Sequence, residues 1–259
     1  MLLRRIITHV KDQNWFAVVL DFVIVVLGIL IAFQITNWAD NAREQNNLAE
    51  AEIILKEDLL SNYFVSYERL ALSECRISSL KNLGDKLLEQ SGEWQGLPQS
   101  NPELIKGHGL VPILFTSNST TWGSRIWDAE LARGTFDTMD NRRLLSMGHI
   151  FRLARYAVDV QGDIIKAEGR LKILGNTIAL SQTDRLRYYE LVSEIDTNSR
   201  NLERITQSII TNIELMGLEL ADGHYKIFSK NVEENINRLK YLHGKCVKPF
   251  SPPPFDIAD

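Results

Sequence analysis

Apolar residues follow two patterns along this chain, and each predicts a different kind of helix. From Trp15 to Ile35 the run WFAVVLDFVIVVLGILIAFQI is apolar on every helical face, with Asp21 its single ionisable group. Twenty-one residues at about 1.5 Å each span a hydrocarbon layer of about 30 Å. Further on, apolar positions recur at steps of three, four or seven: Leu60, Tyr63, Tyr67, Leu70, Ile77, Leu80 and Leu87, then Leu144, Met147, Phe151, Ala154, Val158 and Ile165. Leu202, Ile205, Ile209, Ile213 and Met216 repeat the pattern, as do Phe228, Val232, Ile236 and Leu239. This is the period of amphipathic helices that share a core.

Helix breakers agree. All seven prolines stand at Pro98, Pro102, Pro112, Pro249, Pro252, Pro253 and Pro254, leaving 1–97 and 113–248 free of them. Between Gly28 and Gly84 there is neither Gly nor Pro, so the apolar helix either runs on as one rod or hinges near Asn46-Asn47. The stretch from Gly92 to Pro112 reads as a loop, and Leu110 to Phe115 as an edge strand or extended segment. The fold expected is all-α: an N-terminal transmembrane helix continuing into a long helix, with an antiparallel helical-bundle ectodomain.

Charge orients this arrangement. Arg4, Arg5 and Lys11 precede the span, whereas Asp40, Glu44, Glu50, Glu52, Glu57 and Asp58 follow it with only Arg43 and Lys56 among them. By the positive-inside rule 1–14 is cytoplasmic, 15–36 crosses the membrane, 37–248 is an extracytoplasmic helical domain and 249–259 a flexible Pro-rich tail. Trp15 and Trp38 bracket the span as interface anchors. A cleavable signal peptide is the competing reading, but the apolar run is longer than a signal's hydrophobic region and no A-x-A site follows. Inside the span Ala17, Asp21, Val25, Gly28, Ala32 and Ile35 fall on one stripe, which suggests a helix–helix seam built on Asp21, Gly28 and Ala32. A solvated Asp21 near the headgroups is the plainer alternative.

The whole chain has 29 Lys+Arg against 33 Asp+Glu, a net charge of −4 and 44% hydrophobic residues, which argues against nucleic acid as a partner. His9, His108, His149, His224 and His243 show no metal-ligand spacing, and no nucleophile elbow, Walker loop or dinucleotide fingerprint occurs. No metal, cofactor, catalytic residue or enzymatic activity is therefore expected. Cys75 and Cys246 could be bridged in an oxidising compartment or could remain two buried thiols. In the segment Ser119 to Arg155 a short helix, a turn at Gly134 and a longer helix entered through Asp137 or Asp140 are expected, with Trp122 and Trp127 filling the core.

The blocks LDFVIVVLGILIAFQITNWAD and STTWGSRIWDAELARGTFDTMDNRRLLSM resemble a family of bacterial single-pass membrane proteins whose domain has no known function. The resemblance covers about a quarter of the chain and implies an inner-membrane anchor, N-terminus cytoplasmic, with a periplasmic helical domain. It implies no activity. Together these readings describe a membrane-anchored periplasmic scaffold or interaction module, partnered by the bilayer and by its own copies or another envelope protein. The alternative is a sensor or accessory subunit of an envelope complex.

Overall fold

The computed structural model describes residues 15–89, 92–98, 112, 115, 121–217, 220–249, 251 and 257–258, with the side chains of 15–18, 220–224 and 257–258 left aside. The expected cytoplasmic segment 1–14, the Trp15 side chain, His9, His108, the His224 side chain and most of the Gly92–Pro112 loop lie outside the described residues. Five α-helices are described: α1 (Trp15–Glu89), α2 (Arg125–Arg133), α3 (Asn141–Leu171), α4 (Gln182–Leu215) and α5 (Asp222–His243). The chain divides into two compact units, Met1–Glu50 and Ala51–Asp259.

In the first unit the helix carries Val19, Phe22, Ile24, Ile29, Phe33 and Ile35 in the open, and none of its described residues is buried. It is long and apolar enough to cross a membrane. Asn46 and Asn47 fall within the bounds of α1.

The second unit holds the core. Residues 51–89 of α1 pack antiparallel to α4: Tyr63 donates to Glu214 at 2.9 Å, Ser73 to Glu203 at 3.2 Å and Arg76 to Ser199 at 3.0 Å. The rising number on one helix and falling number on the other set this direction. Against α3 the same stretch runs parallel, with ion pairs from Arg143 to Glu52 and from Arg76 to Glu168. Against α5 it is parallel too: Phe64 stacks on Phe228 with ring centroids 5.9 Å apart, and Asn235 donates to Glu68 at 2.8 Å. Leu55, Leu59, Leu80 and Leu87 of α1 are fully buried between these helices, each contributing about 2 kcal/mol by removal from water.

Local signals explain the helix ends. Gly134 closes α2 in the left-handed conformation, φ 73°, as its position in the sequence suggests. Asp140 rather than Asp137 caps α3, its carboxylate accepting from the Arg142 and Arg143 backbone N–H groups. Ser181 and Asp184 form a reciprocal capping box at the start of α4. Trp127 lies stacked between Phe136 and Phe151, and Trp122 is buried as well.

One expectation needs correcting. In α3, Val158 and Ile165 are exposed, while the buried row runs Met147, Ile150, Ala154, Ala157, Gln161, Ile164, Glu168 and Leu171. Two polar residues hold places that a reading of hydrophobic residues alone passes over. Just before the tail the Lys248 N–H donates to the Ala71 carbonyl at 3.0 Å; within it the Ser251 N–H donates to the Tyr67 hydroxyl at 3.1 Å, and Ile257–Ala258 pair in parallel with Leu220–Ala221. Of the segment read as an edge strand or extended segment from Leu110 to Phe115, Pro112 and Phe115 are described: Pro112 stands in an isolated β-bridge, and the Phe115 N–H donates to the Pro112 carbonyl at 2.8 Å.

A two-residue antiparallel pairing, Glu93↔Ala179 and Trp94↔Ile178, lies where α3 turns back into α4. Trp94 is fully buried there, its indole N–H donating to the Leu174 carbonyl at 2.9 Å. Gly96 passes so close to Gly175 that a Cβ would sit 2.6 Å from its carbonyl oxygen, so only glycine fits.

Candidate functional site: a polar row and cavity inside the bundle

On α1 the residues Asn62, Ser66, Arg69, Ser73 and Arg76 recur at steps of four and three, a spacing that keeps them on one helical face. Apolar residues occupy this face above and below, with Leu55 and Leu59 at one end and Leu80, Leu83 and Leu87 at the other. A polar row inside a helical bundle costs stability unless its members are paired. Most of the pairing is visible. Asn62 grips Gly123 through both amide atoms, and Ser66 accepts from the Trp122 indole N–H at 2.8 Å. The Arg69 guanidinium lies over the Trp122 ring, 5.9 Å from its centroid. Arg76 donates to Ser199 and forms an ion pair with the buried Glu168.

Next to this row is a cavity of about 340 Å³, within the size range of small-molecule sites. Leu72, Leu83, Leu97, Ile164, Ile165 and Leu202 form much of its wall, and Arg69, Arg76, Lys86, Gln161, Glu203 and His243 bring polar groups to it. Gln161 is buried, and its Oε1 has no hydrogen-bond partner among the described residues.

Burial dominates the electrostatics. It lowers Arg69 to about 10, with the like charge of Arg76 acting in the same direction, which still leaves the guanidinium charged at neutral pH. Burial raises Glu168, opposed by the Arg76 cation beside it. His243 is lowered by burial and then by Arg76, so it favours the neutral imidazole.

Of the residues singled out from sequence, Cys75, His243 and Trp122 meet here and the membrane-span candidates do not. Asp21, Gly28, Ala32 and Trp38 are exposed on α1 in the first unit. Cys75 lines the cavity and is bonded to Cys246, with Cα atoms 5.1 Å apart. Of the histidines, His149 meets Arg152 on the surface, whereas His243 reaches the cavity. Among the described residues no three His, Cys, Asp or Glu side chains gather as a metal site. The polar row escaped a search for hydrophobic periodicity because its signal is the inverse: polar side chains at the positions where the stripe should be apolar. Comparison with family models, curated proteins and solved structures finds no match.

Proposed function

We propose that this chain is a membrane-anchored periplasmic helical interaction module, non-catalytic, that works beside its own copies or another envelope protein. The observation that carries the reading is the contrast between the two units. Val19–Ile35 leaves its large apolar side chains uncovered, which favours a lipid environment, whereas residues 51–259 close a core of their own. The Cys75–Cys246 bond supports an oxidising compartment for the second unit.

Asp21, Gly28 and Ala32 are the residues we assign to contact within the bilayer. A Cβ added at Gly28 meets nothing within 4 Å, so the chain itself does not need glycine there. A cost of Gly28→Ile would then report a neighbour outside the chain. A C-terminal alkaline phosphatase fusion should be active and a fluorescent fusion that matures only in the cytoplasm should be dark. The reverse pattern rejects the orientation. Crosslinking in membranes tests the seam: Asp21→Leu and Gly28→Ile should reduce oligomer or partner bands at equal expression, and unchanged bands leave the span as an anchor only.

The alternative, a sensor or accessory subunit of an envelope complex, gains support from the cavity, which offers a place where a small molecule could act on the bundle.

A further inference from the structure

The cavity beside the polar row has an aliphatic wall and charges that are already matched. Leu72, Leu83, Leu97, Ile164 and Leu202 form its apolar side, and among the described residues the only ring on it is the His243 imidazole. The cations Arg69, Arg76 and Lys86 stand against three carboxylates: Glu68 acts on Arg69, Glu168 pairs with Arg76, and Glu203 lines the cavity itself and accepts from Ser73. A ligand bringing a net charge of either sign would upset this balance and lose its own hydration on entry. One polar atom is left over. Gln161 on α3 lines the cavity and is more than nine-tenths buried, and among the described residues its Oε1 has no hydrogen-bond partner. An amide oxygen is an acceptor, so the group that answers it is a donor. Water could provide one, but water gains nothing from the aliphatic wall.

From this combination we propose that the cavity binds a small neutral molecule with an aliphatic body and a hydroxyl: the body lies against Leu72, Leu83, Ile164 and Leu202, and the hydroxyl donates to Gln161 Oε1. Affinity comes from the body, which leaves water for the aliphatic wall. Selectivity comes from the hydroxyl, because a buried acceptor left unpaired is costly and its pairing removes that penalty. The other common head groups fit less well. An aliphatic amine is protonated at neutral pH and would add a fourth cation to the lining, and a carboxylate brings charge without a donor. The site lies wholly within residues 51–259 and gives the sensor reading its class of ligand, so failure of the binding test leaves the membrane orientation untouched.

The test uses the full chain in dodecyl maltoside and four probes of similar length: 1-octanol, its isomer 1-methoxyheptane, which accepts but cannot donate, octanoate and octylamine. Binding is read by calorimetry, with protein-free micelles as the blank, and by the rise in melting temperature. Octanol should bind about fivefold more tightly than its isomer, the worth of one neutral hydrogen bond. Octanoate and protonated octylamine should each bind at least about tenfold more weakly than octanol. Gln161→Met keeps the length of the side chain and removes the acceptor. It should bring octanol down to the level of the ether and leave the ether unchanged, with no loss of melting temperature, since no bond is given up. Ile165→Trp, at an exposed place on the cavity wall, should abolish binding of both isomers with helicity retained. The comparison of octanol with its isomer needs no variant, so a substitution that fails to fold does not remove the test. Equal binding of the two isomers by the native chain overturns the proposal, as does a preference for octanol that survives Gln161→Met or Ile165→Trp. Tighter binding of octanoate or octylamine than of octanol overturns it as well. So does the absence of heat and thermal shift with octanol up to its solubility limit, which leaves the cavity to water.

Discussion

Asn62 holds Gly123 by both of its backbone polar groups: the side-chain amide donates to the Gly123 carbonyl at 2.9 Å, and the Gly123 N–H donates to the side-chain oxygen at 2.7 Å. The Asn62 side chain therefore acts like a short piece of strand, pinning the segment before α2 onto α1 across 61 residues of sequence. Asn62 is fully buried and Gly123 partly so.

Asn62→Leu should lower unfolding stability by about 2 kcal/mol, because two partly buried backbone groups lose their partner. Asn62→Asp keeps the acceptor but sets a buried carboxylate against the Gly123 carbonyl, and should cost at least as much as Leu. Urea unfolding of the detergent-solubilised chain, followed by circular dichroism, checks the order. A Leu variant as stable as the native protein rules out this anchoring role.

Ser66 and Trp122 form the next rung. Ser66→Ala strands the indole N–H in a buried position and should cost about 1–2 kcal/mol, whereas removing both groups in Ser66→Ala with Trp122→Phe should show a coupling of about 1 kcal/mol. The double-mutant cycle is read from urea midpoints, and additive losses would mean that the bond contributes nothing.

The Cys75–Cys246 bond closes a loop of 171 residues between α1 and the turn that follows α5. Loss of either cysteine to serine should destabilise the fold by up to about 5 kcal/mol, chiefly by freeing the unfolded chain. Reduced and non-reduced samples should migrate differently on gels. Full maleimide labelling of both thiols under denaturing, non-reducing conditions shows instead that they are free.

His243 should make stability depend on pH in a defined sense. Its pKa in the folded chain lies below the ordinary 6.5, first through burial and then through Arg76, so the folded state binds fewer protons than the unfolded one. Its contribution is complete above 6.5 and is lost as pH falls through the folded value. Glu168 acts oppositely: raised above its ordinary 4.5 by burial, it favours the fold at low pH and loses that contribution as pH rises through its folded value. Melting temperatures of the native chain and of His243→Asn, compared from pH 7.5 down to 5, should converge as the native chain loses its advantage. Parallel curves would show that His243 does not titrate with folding.

What the sequence determined by itself was local. Apolar residues on all faces from Trp15 to Ile35, the absence of Gly and Pro from 29 to 83, the turn at Gly134 and a cap at Asp137 or Asp140 follow from helix periodicity, backbone freedom and capping chemistry, which act over a few residues. The all-α architecture follows from the same signals. Tertiary structure alone decided that Asn62, Ser66, Arg69, Ser73 and Arg76 face inward, because their partners Gly123, Trp122, Glu203, Glu168 and Ser199 stand far away in sequence, and a polar side chain is stable inside only where such a partner meets it. It likewise turned Val158 and Ile165 outward: the place beside α1 goes to Glu168, whose ion pair with Arg76 no periodicity of apolar residues announces.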